Sequence, residues 1–183
     1  MARLSMNEMT TYRWSFDNDV AEYRAAGIPA IGVWRQKLSD YGEEKGIELL
    51  AETGLPVSNL LWAGGFTGSC GHSFRESVDD AAEAIRLAAA LKAGCLVVYS
   101  GGRAGHTHNH ARRLLIEAMR ELVDIVILLR SSSEAAVART LDCKMYDRPG
   151  LVVIARALKG PFIKAEQSSK TSASFVATIF VLS

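Results

Sequence analysis

The sequence predicts an α/β protein built on a parallel β-sheet. Within residues 1–123, a short apolar strand, a loop and an amphipathic helix recur four times. Three of these helices end near a glycine, Gly27, Gly54 or Gly94, and an apolar strand follows within a few residues. Glycine readily adopts the left-handed conformation that ends a helix. Strands that alternate with helices predict parallel pairing through right-handed crossovers.

The first two units follow from apolar spacing. We expect a strand at residues 4–10, a helix that Ser15 can cap, a second strand at residues 30–34 and a helix around residues 43–52. The residues expected on the buried faces of these helices are Phe16, Val20 and Tyr23 in the first and Ile47, Leu50 and Ala51 in the second.

The third and fourth units have the clearest signals. A strand at residues 57–62 precedes Ser73-Phe74-Arg75-Glu76, which is a capping box at the start of a helix that ends at Gly94. A strand at residues 95–99 and a helix at residues 108–123 complete the repeats. Expected core positions are Phe74, Val78, Ala81, Ile85 and Ala88 in the third helix and Ala111, Leu115, Ala118 and Leu122 in the fourth.

The repeating pattern stops after Val123. Residues 125–129 are predicted to form a buried strand, and no glycine separates them from the fourth helix. Further on, the pattern predicts a helix around residues 134–141, a strand at residues 151–155, a loop at 166–172 and a final buried strand within 175–182. The sequence therefore divides into a repetitive region, 1–123, and an atypical tail, 124–183.

Composition excludes several classes of function. The 183 residues carry a net charge of only +1 and contain no run of Lys or Arg, so nucleic acid is not an expected partner. No apolar stretch approaches the roughly 20 residues that span a bilayer, and the N-terminus lacks a signal-peptide core. The odd, scattered set Cys70, Cys95 and Cys143 argues against a disulfide framework and predicts a reducing, cytoplasmic location.

Four segments in this order carry a resemblance to a known family. They are SMNEMT at residues 5–10, AGI at 26–28 leading to IGVWR at 31–35, SFRE at 73–76, and LVVYSGG at 96–102. With these segments, residues 1–123 resemble the xylose isomerase-like sugar phosphate isomerases and epimerases. The resemblance implies a partial (β/α)₈ TIM barrel, with about four N-terminal βα units and an atypical C-terminal tail.

The resemblance also implies a chemistry. In the full-length family, a divalent metal (Mn, Mg or Zn) is held by a Glu, an Asp, a His and a Glu on strands five to eight, and the glutamates move protons. None of these ligands can be placed here, because residues 125–129 are apolar where strand five should present its Glu, and no His follows His110. We therefore expect no metal site in this chain, and its catalytic residues, if it has any, stay unassigned.

Two explanations fit this break. A reading-frame shift or an early stop in a longer gene would attach an unrelated tail, and we favour it because the change of pattern is abrupt. Alternatively, the chain is a real short protein whose barrel is completed by another chain.

The candidate substrate-binding residues lie where strands end, since barrel active sites lie at the C-terminal mouth. Trp34 and Trp62 can stack on a sugar or pack at the rim. Arg35 and Tyr99 also lie at strand ends, and Asn7 lies on the first strand, where core hydrogen bonding is the simpler role. Glu8 is expected at the rim or in solvent. The sixth candidate, just past the fourth strand, is His106.

Two other motifs have a weaker functional interpretation. His106 and His110 share a helix face and, with His72 or Cys70, could bind a metal, although solvated or substrate-facing residues at a helix start are the simpler interpretation. The glycine-rich loops at residues 64–68 and 100–105 can contact phosphate or sugar hydroxyls, or simply turn tightly.

Three hypotheses follow for function. The first is an enzyme-derived chain whose parent activity is metal-assisted isomerisation or epimerisation of a sugar or sugar phosphate, inactive on its own. The second is a non-catalytic half-barrel that forms a homo-oligomer or docks on a partner to cover its open edges. The third is a flavodoxin-like open sheet that binds a phosphorylated ligand.

Overall fold

A computed structural model of the protein describes residues 4–131, 154–155 and 176–179. Strands and helices alternate along most of the described chain, as the sequence predicts. The strands are β1 (Met6–Asn7), β2 (Ile31–Trp34), β3 (Val57–Gly64), β4 (Leu96–Tyr99), β5 (Ile154–Ala155) and β6 (Val176–Ile179). The helices are α1 (Phe16–Ala25), α2 (Arg35–Tyr41), α3 (Glu43–Thr53), α4 (Phe74–Ala90) and α5 (His108–Ser131).

One sheet holds the six strands of the described residues in the order β1-β2-β3-β4-β6-β5. The first four strands are parallel to their neighbours, with Met6 opposite Ile31 and Leu60 opposite Leu96. This arrangement confirms a partial TIM barrel of four βα units. At the next position the order departs from a barrel, because β6 pairs with β4 antiparallel, while β5 pairs with β6 parallel.

Alternation along the strands gives the sheet two different faces. One, the helix-covered face, forms the core with α1–α5, and its strand residues Ile31, Val33, Leu60, Leu96 and Val98 are each 0% exposed. The other, here called the inner face, corresponds to the interior of a complete barrel. Its residues are Asn7, Gly32, Trp34, Asn59, Leu61, Val97 and Tyr99, and apart from the buried Gly32 they are half-buried.

The expected helix ends are correct in two cases and wrong in one. Gly27 and Gly54 have φ of +69° and +66° and turn the chain after α1 and α3. The third predicted helix corresponds to α4, which ends at Ala90, before the predicted stop at Gly94. Lys92 takes the left-handed conformation there, with φ of +52°. Gly94 is needed for close packing instead, because a Cβ there would lie 2.8 Å from the Ser58 carbonyl oxygen on β3.

The capping box is confirmed in both directions. The Ser73 side chain accepts a hydrogen bond from the Glu76 backbone N–H, and the Glu76 carboxylate accepts one from the Ser73 N–H at 2.7 Å. Ser15 also occupies an N-cap position, but its side chain makes no capping hydrogen bond. The core positions predicted for α4 and α5 are buried, apart from the partly buried Phe74. By contrast, Ala51 on α3 was predicted to be buried and is exposed.

The strand predicted at residues 125–129 is wrong, because α5 continues as one helix to Ser131. Val126 lies one helical turn beyond the buried Leu122 and is itself buried, and Ile125 and Leu129 pack against the core. No glycine or proline interrupts this run, so the backbone hydrogen bonding of the helix continues through it. The predicted boundary at Val123 therefore falls inside α5.

Other tail predictions are described only in part. Ile154–Ala155 and Val176–Ile179 are strands within the two predicted strand segments. The helix expected at residues 134–141 and the loop at 166–172 lie outside the described residues. Over the ranges described, no helix combines the length and apolarity needed to cross a membrane.

Candidate functional site

The candidate site lies at the C-terminal ends of β1–β4. Parallel strands place these ends at one edge of a sheet, so the loops that follow them meet there. Five of the six predicted substrate-binding residues lie on or directly after these strands, and His106 lies in the loop after β4.

Two amide side chains meet across Gly32 on the inner face. A Cβ added at Gly32 would lie 2.6 Å from Asn7 Nδ2 and 2.8 Å from Asn59 Oδ1. The missing side chain therefore makes room for both amides. Asn7 Oδ1 accepts a hydrogen bond from Met9 N at 2.9 Å, and Asn59 Oδ1 accepts one from Ser58 Oγ at 2.8 Å. This arrangement places neutral donors and acceptors side by side, which suits polyhydroxylated ligands.

An aromatic pair lies near the C-terminal ends of β3 and β4. Trp62 and Tyr99 meet edge to face, with ring centroids 6.3 Å apart. Trp62 is 43% exposed, so a large part of its indole remains available to a ligand. Burial raises the pKa of Tyr99 to about 12, and proximity to the Cys70 thiol, 3.6 Å from its hydroxyl, acts in the same direction. Tyr99 is therefore a neutral hydrogen-bonding group at physiological pH.

The Arg35 side chain is held by two partners, one of which is the backbone of the aromatic residue Trp62. Its guanidinium makes a bidentate ion pair with Asp80 on α4, at 3.1 and 3.0 Å. It also donates to the Trp62 carbonyl oxygen at 3.3 Å. The structure thus links α2, α4 and the end of β3 through one side chain. Trp34, immediately before Arg35, is half-buried at the end of β2.

His106 joins the two glycine-rich loops that border the site. Its Nε2 lies 3.1 Å from the Thr67 carbonyl oxygen, which can only accept, so Nε2 carries the proton. The Thr67 hydroxyl donates to the Gly102 carbonyl, and its backbone N–H donates to the Ser100 carbonyl at 3.3 Å. Gly101, with φ of +86°, has no space for a side chain, because a Cβ would lie 2.6 Å from Thr67 Oγ1. These hydrogen bonds and the close packing at Gly101 join the two loops into one continuous border of the site.

The residues described do not fit the divalent metal that the fold family implies. His106 and His110 meet edge to face with centroids 4.7 Å apart, and His110 Nδ1 lies 3.3 Å from the Arg113 guanidinium. An arginine donor at that nitrogen competes with a metal for the same lone pair. Across residues 4–131 and the two short strands, no three His, Cys, Asp or Glu side chains form a group able to hold a metal ion.

The prediction that Glu8 lies at the rim or in solvent is wrong. Glu8 is 0% exposed, and its Oε2 accepts a hydrogen bond from Trp34 N at 2.6 Å.

Sequence reasoning also missed α2, and with it the buried Lys37, which forms an ion pair with the buried Asp19 at 2.5 Å. Asn59 gave a weak signal, as a polar residue in an otherwise apolar strand. The role of Asp80 as the partner of Arg35 had no signal in the sequence, because an acidic residue on a helix is usually solvated.

Comparisons with known proteins agree with this geometry. A profile of the xylose isomerase-like TIM barrel family matches residues 20–127. Among solved structures, the chain is similar to protein SMc04130 from Sinorhizobium meliloti 1021, with 28% identity and a TM-score of 0.61 over 67% of this chain and 46% of that one. The chain thus spans about half the length of that relative. No curated protein gives a significant match.

The family profile and the strand order describe the same region. The profile covers more than half of the sequence, from within α1 to near the end of α5, and this region holds three of the four parallel strands. The chain belongs to the xylose isomerase-like TIM barrel family.

Proposed function

We propose that the chain provides a binding half-barrel for a sugar or sugar phosphate, and that its parent activity is metal-assisted isomerisation or epimerisation. The observation that carries the proposal is the parallel sheet itself, which presents the Asn7 and Asn59 amides on its inner face and the Trp62–Tyr99 pair near the C-terminal ends of β3 and β4. Amides bind hydroxyl groups, and an exposed indole stacks on the apolar face of a sugar ring. The family membership supports the same substrate class.

The side chains of this face support binding without catalysis. Moving a proton next to a carbonyl needs a group whose pKa lies near the working pH. The amides do not titrate, and Tyr99, with a pKa of about 12, remains protonated. Arg35 is engaged by Asp80, and the Nε2–H of His106 is engaged by the Thr67 carbonyl oxygen. We therefore propose that this chain alone binds the substrate and does not turn it over, and that it works in the cytoplasm, as the scattered cysteines predict.

The test is a binding titration paired with an assay for turnover. Aldoses, ketoses and their phosphates are titrated into the full chain while heat and tryptophan fluorescence are recorded. We expect binding of at least one of them, weakened about tenfold or more in Trp62→Ala and largely restored in Trp62→Phe. The matched control is Leu128→Ala, which removes an exposed apolar side chain near the end of α5, away from the strand ends, and should leave affinity unchanged.

The same samples are assayed for isomerised or epimerised product with added Mn²⁺ or Mg²⁺. No product is expected above the protein-free rate. Failure of every sugar and sugar phosphate to bind would contradict the ligand class. Metal-dependent turnover lost in Trp62→Ala would contradict the non-catalytic part alone.

A second candidate function is assembly with another copy of the chain. Both faces of a parallel sheet are normally covered, yet the inner face is half-exposed over the residues that the structure describes. The β4 edge pairs with β6, so a second copy would approach the inner face or the β1 edge. Sedimentation decides this: a dimer that Trp62→Ala weakens supports assembly, and a monomer across the micromolar range contradicts it.

A further inference from the structure

Three ionisable side chains are buried together behind the loop that joins β1 to α1. This loop, residues 8–15, is called the β1–α1 loop below. Glu8 and Asp19 are 0% exposed, and Lys37 is 7% exposed. The cluster thus contains two carboxyl groups and a single ammonium. It lies outside the inner face and has no part in the proposed function.

Lys37 pairs with Asp19, and it acts on Glu8 only through the charge of its ammonium group. Its Nζ lies 2.5 Å from Asp19 Oδ2, and the Thr11 hydroxyl donates to Asp19 Oδ1 at 2.6 Å, so both Asp19 oxygens are satisfied. Glu8 Oε2 accepts from Trp34 N, but in the described part of the chain Glu8 Oε1 has no hydrogen-bond partner. A buried oxygen without a partner is costly as an anion and much less so as a neutral acid.

The pKa of Glu8 agrees with this geometry. Its pKa is raised to about 8, mainly by burial and in addition by the Asp19 carboxylate, whereas the Trp34 N–H and the Lys37 ammonium act in the opposite direction. From α1, Tyr23 also lies close by, and burial raises its pKa, so it stays neutral in this range. The groups that face Glu8 are therefore Asp19 and Tyr23 from α1, Lys37 from α2 and the Trp34 N–H from β2.

The same cluster holds the β1–α1 loop in place through Thr11. The Thr11 carbonyl oxygen accepts a hydrogen bond from Lys37 Nζ at 2.7 Å, and the Thr11 N–H donates to the Glu8 carbonyl at 3.2 Å. Beyond this anchor the loop is exposed, with Tyr12 at 58% and Trp14 at 42%. Arg13 lies between them and is also exposed.

We propose that the proton on Glu8 is a switch that holds the β1–α1 loop against Lys37, and that its loss to solvent releases the loop. Ionised Glu8 presents Lys37 with a second negative charge. The ammonium is then drawn from the Thr11 carbonyl toward Glu8, because a charged acceptor outcompetes a neutral one. Thr11 then loses the hydrogen bond from Lys37 to its carbonyl oxygen and keeps only the one from its hydroxyl to Asp19, so the loop is held by fewer contacts while the helices stay packed.

Trypsin cleavage after Arg13 measures release of the loop directly. The full chain is digested briefly between pH 6.5 and 9.5, and cleavage after Arg13 is divided by the rate for a free peptide of residues 8–18. Cleavage after Lys45, exposed on α3, is followed in the same digest as the control for global unfolding. We expect the normalised Arg13 rate to rise about tenfold with a midpoint near pH 8, while the Lys45 rate stays low.

The variant Glu8→Gln keeps the shape of the neutral acid and cannot ionise. It should give a flat Arg13 profile at the low-pH level of the wild type. Equal profiles in both proteins, or a wild-type profile that is flat, would overturn the switch. A parallel rise at Arg13 and Lys45 would also overturn it, because ionisation would then unfold the domain. If Glu8→Gln does not fold, the wild-type Arg13 and Lys45 profiles decide alone.

Discussion

Leu60 and Leu61 are neighbours on β3, yet they belong to opposite faces of the sheet. Leu60 lies against the helices and is 0% exposed, whereas Leu61 points to the inner face and is half-buried. The same alternation separates Val98 from Tyr99 on β4. The helix-covered face is uniformly apolar and closed, while the inner face combines amides with aromatic rings. The first supplies the stability of the fold, and the second is available to bind.

The largest expected effect distinguishes the two leucines. Leu60→Ala should lower the free energy of unfolding by about 2–5 kcal/mol, because it leaves a cavity in a closed core. Leu61→Ala, the matched control, should cost about 1 kcal/mol, since its surroundings are open. Urea denaturation measures both. Equal losses would mean that the inner face is also covered in solution, which would favour assembly with a second copy.

The next effect depends on pH. The pKa of Glu8 is about 8 in the fold and about 4.5 when unfolded. Between these values the native state holds a proton that the unfolded state has released, so the contribution of Glu8 to stability is greatest below pH about 4.5 and is lost as pH rises to about 8. The slope for one such group is at most about 1.4 kcal/mol per pH unit.

Denaturation at several pH values from 5 to 7.5 measures this slope. Wild type should lose stability relative to Glu8→Gln as pH rises, because the glutamine has no proton to release. Parallel curves for the two proteins would show that Glu8 is not protonated in the fold.

A smaller effect is expected at the start of α4. Ser73→Ala removes the hydroxyl that caps the Glu76 N–H and should cost about 1 kcal/mol. Ser15→Ala is the matched control, because Ser15 occupies the same position on α1 without a capping bond. Thermal unfolding of the two variants compares them. An equal loss for both would mean that the capping hydrogen bond contributes little.

The smallest effect on stability is expected at Gly32. In Gly32→Ala, the new methyl displaces only the mobile ends of Asn7 and Asn59, so the cost should stay below about 1 kcal/mol. Affinity for the sugar or sugar phosphate should nevertheless fall several-fold, because the amide pair is disrupted. Unfolding and binding titrations on one sample test this separation. Unchanged affinity would remove the amide pair from the proposed site.

Sequence periodicity predicted the parallel sheet, the helix faces and the capping box, since each of these depends on local spacing. It failed where tertiary contacts decide. Glu8 was predicted at the rim because its burial depends on α2, which carries Lys37 and was not predicted. Residues 125–129 were predicted as a strand because their apolar composition fits either a strand or a helix. Pairing also depends on distant residues, as for Arg35 with Asp80. The positions of Trp62 and Tyr99 were predictable, because strand ends of a parallel sheet share one edge.

The most direct test of the inner face as the binding surface is a nuclear magnetic resonance titration with a sugar or sugar phosphate that binds. The side-chain amide signals of Asn7 and Asn59 and the indole N–H of Trp62 should shift together, with one affinity. Methyl signals of Leu60 and Val98, on the helix-covered face, should stay in place. Shifts confined to the helix-covered face, or binding that leaves the amides and the Trp62 indole unmoved, would contradict the assignment of the inner face.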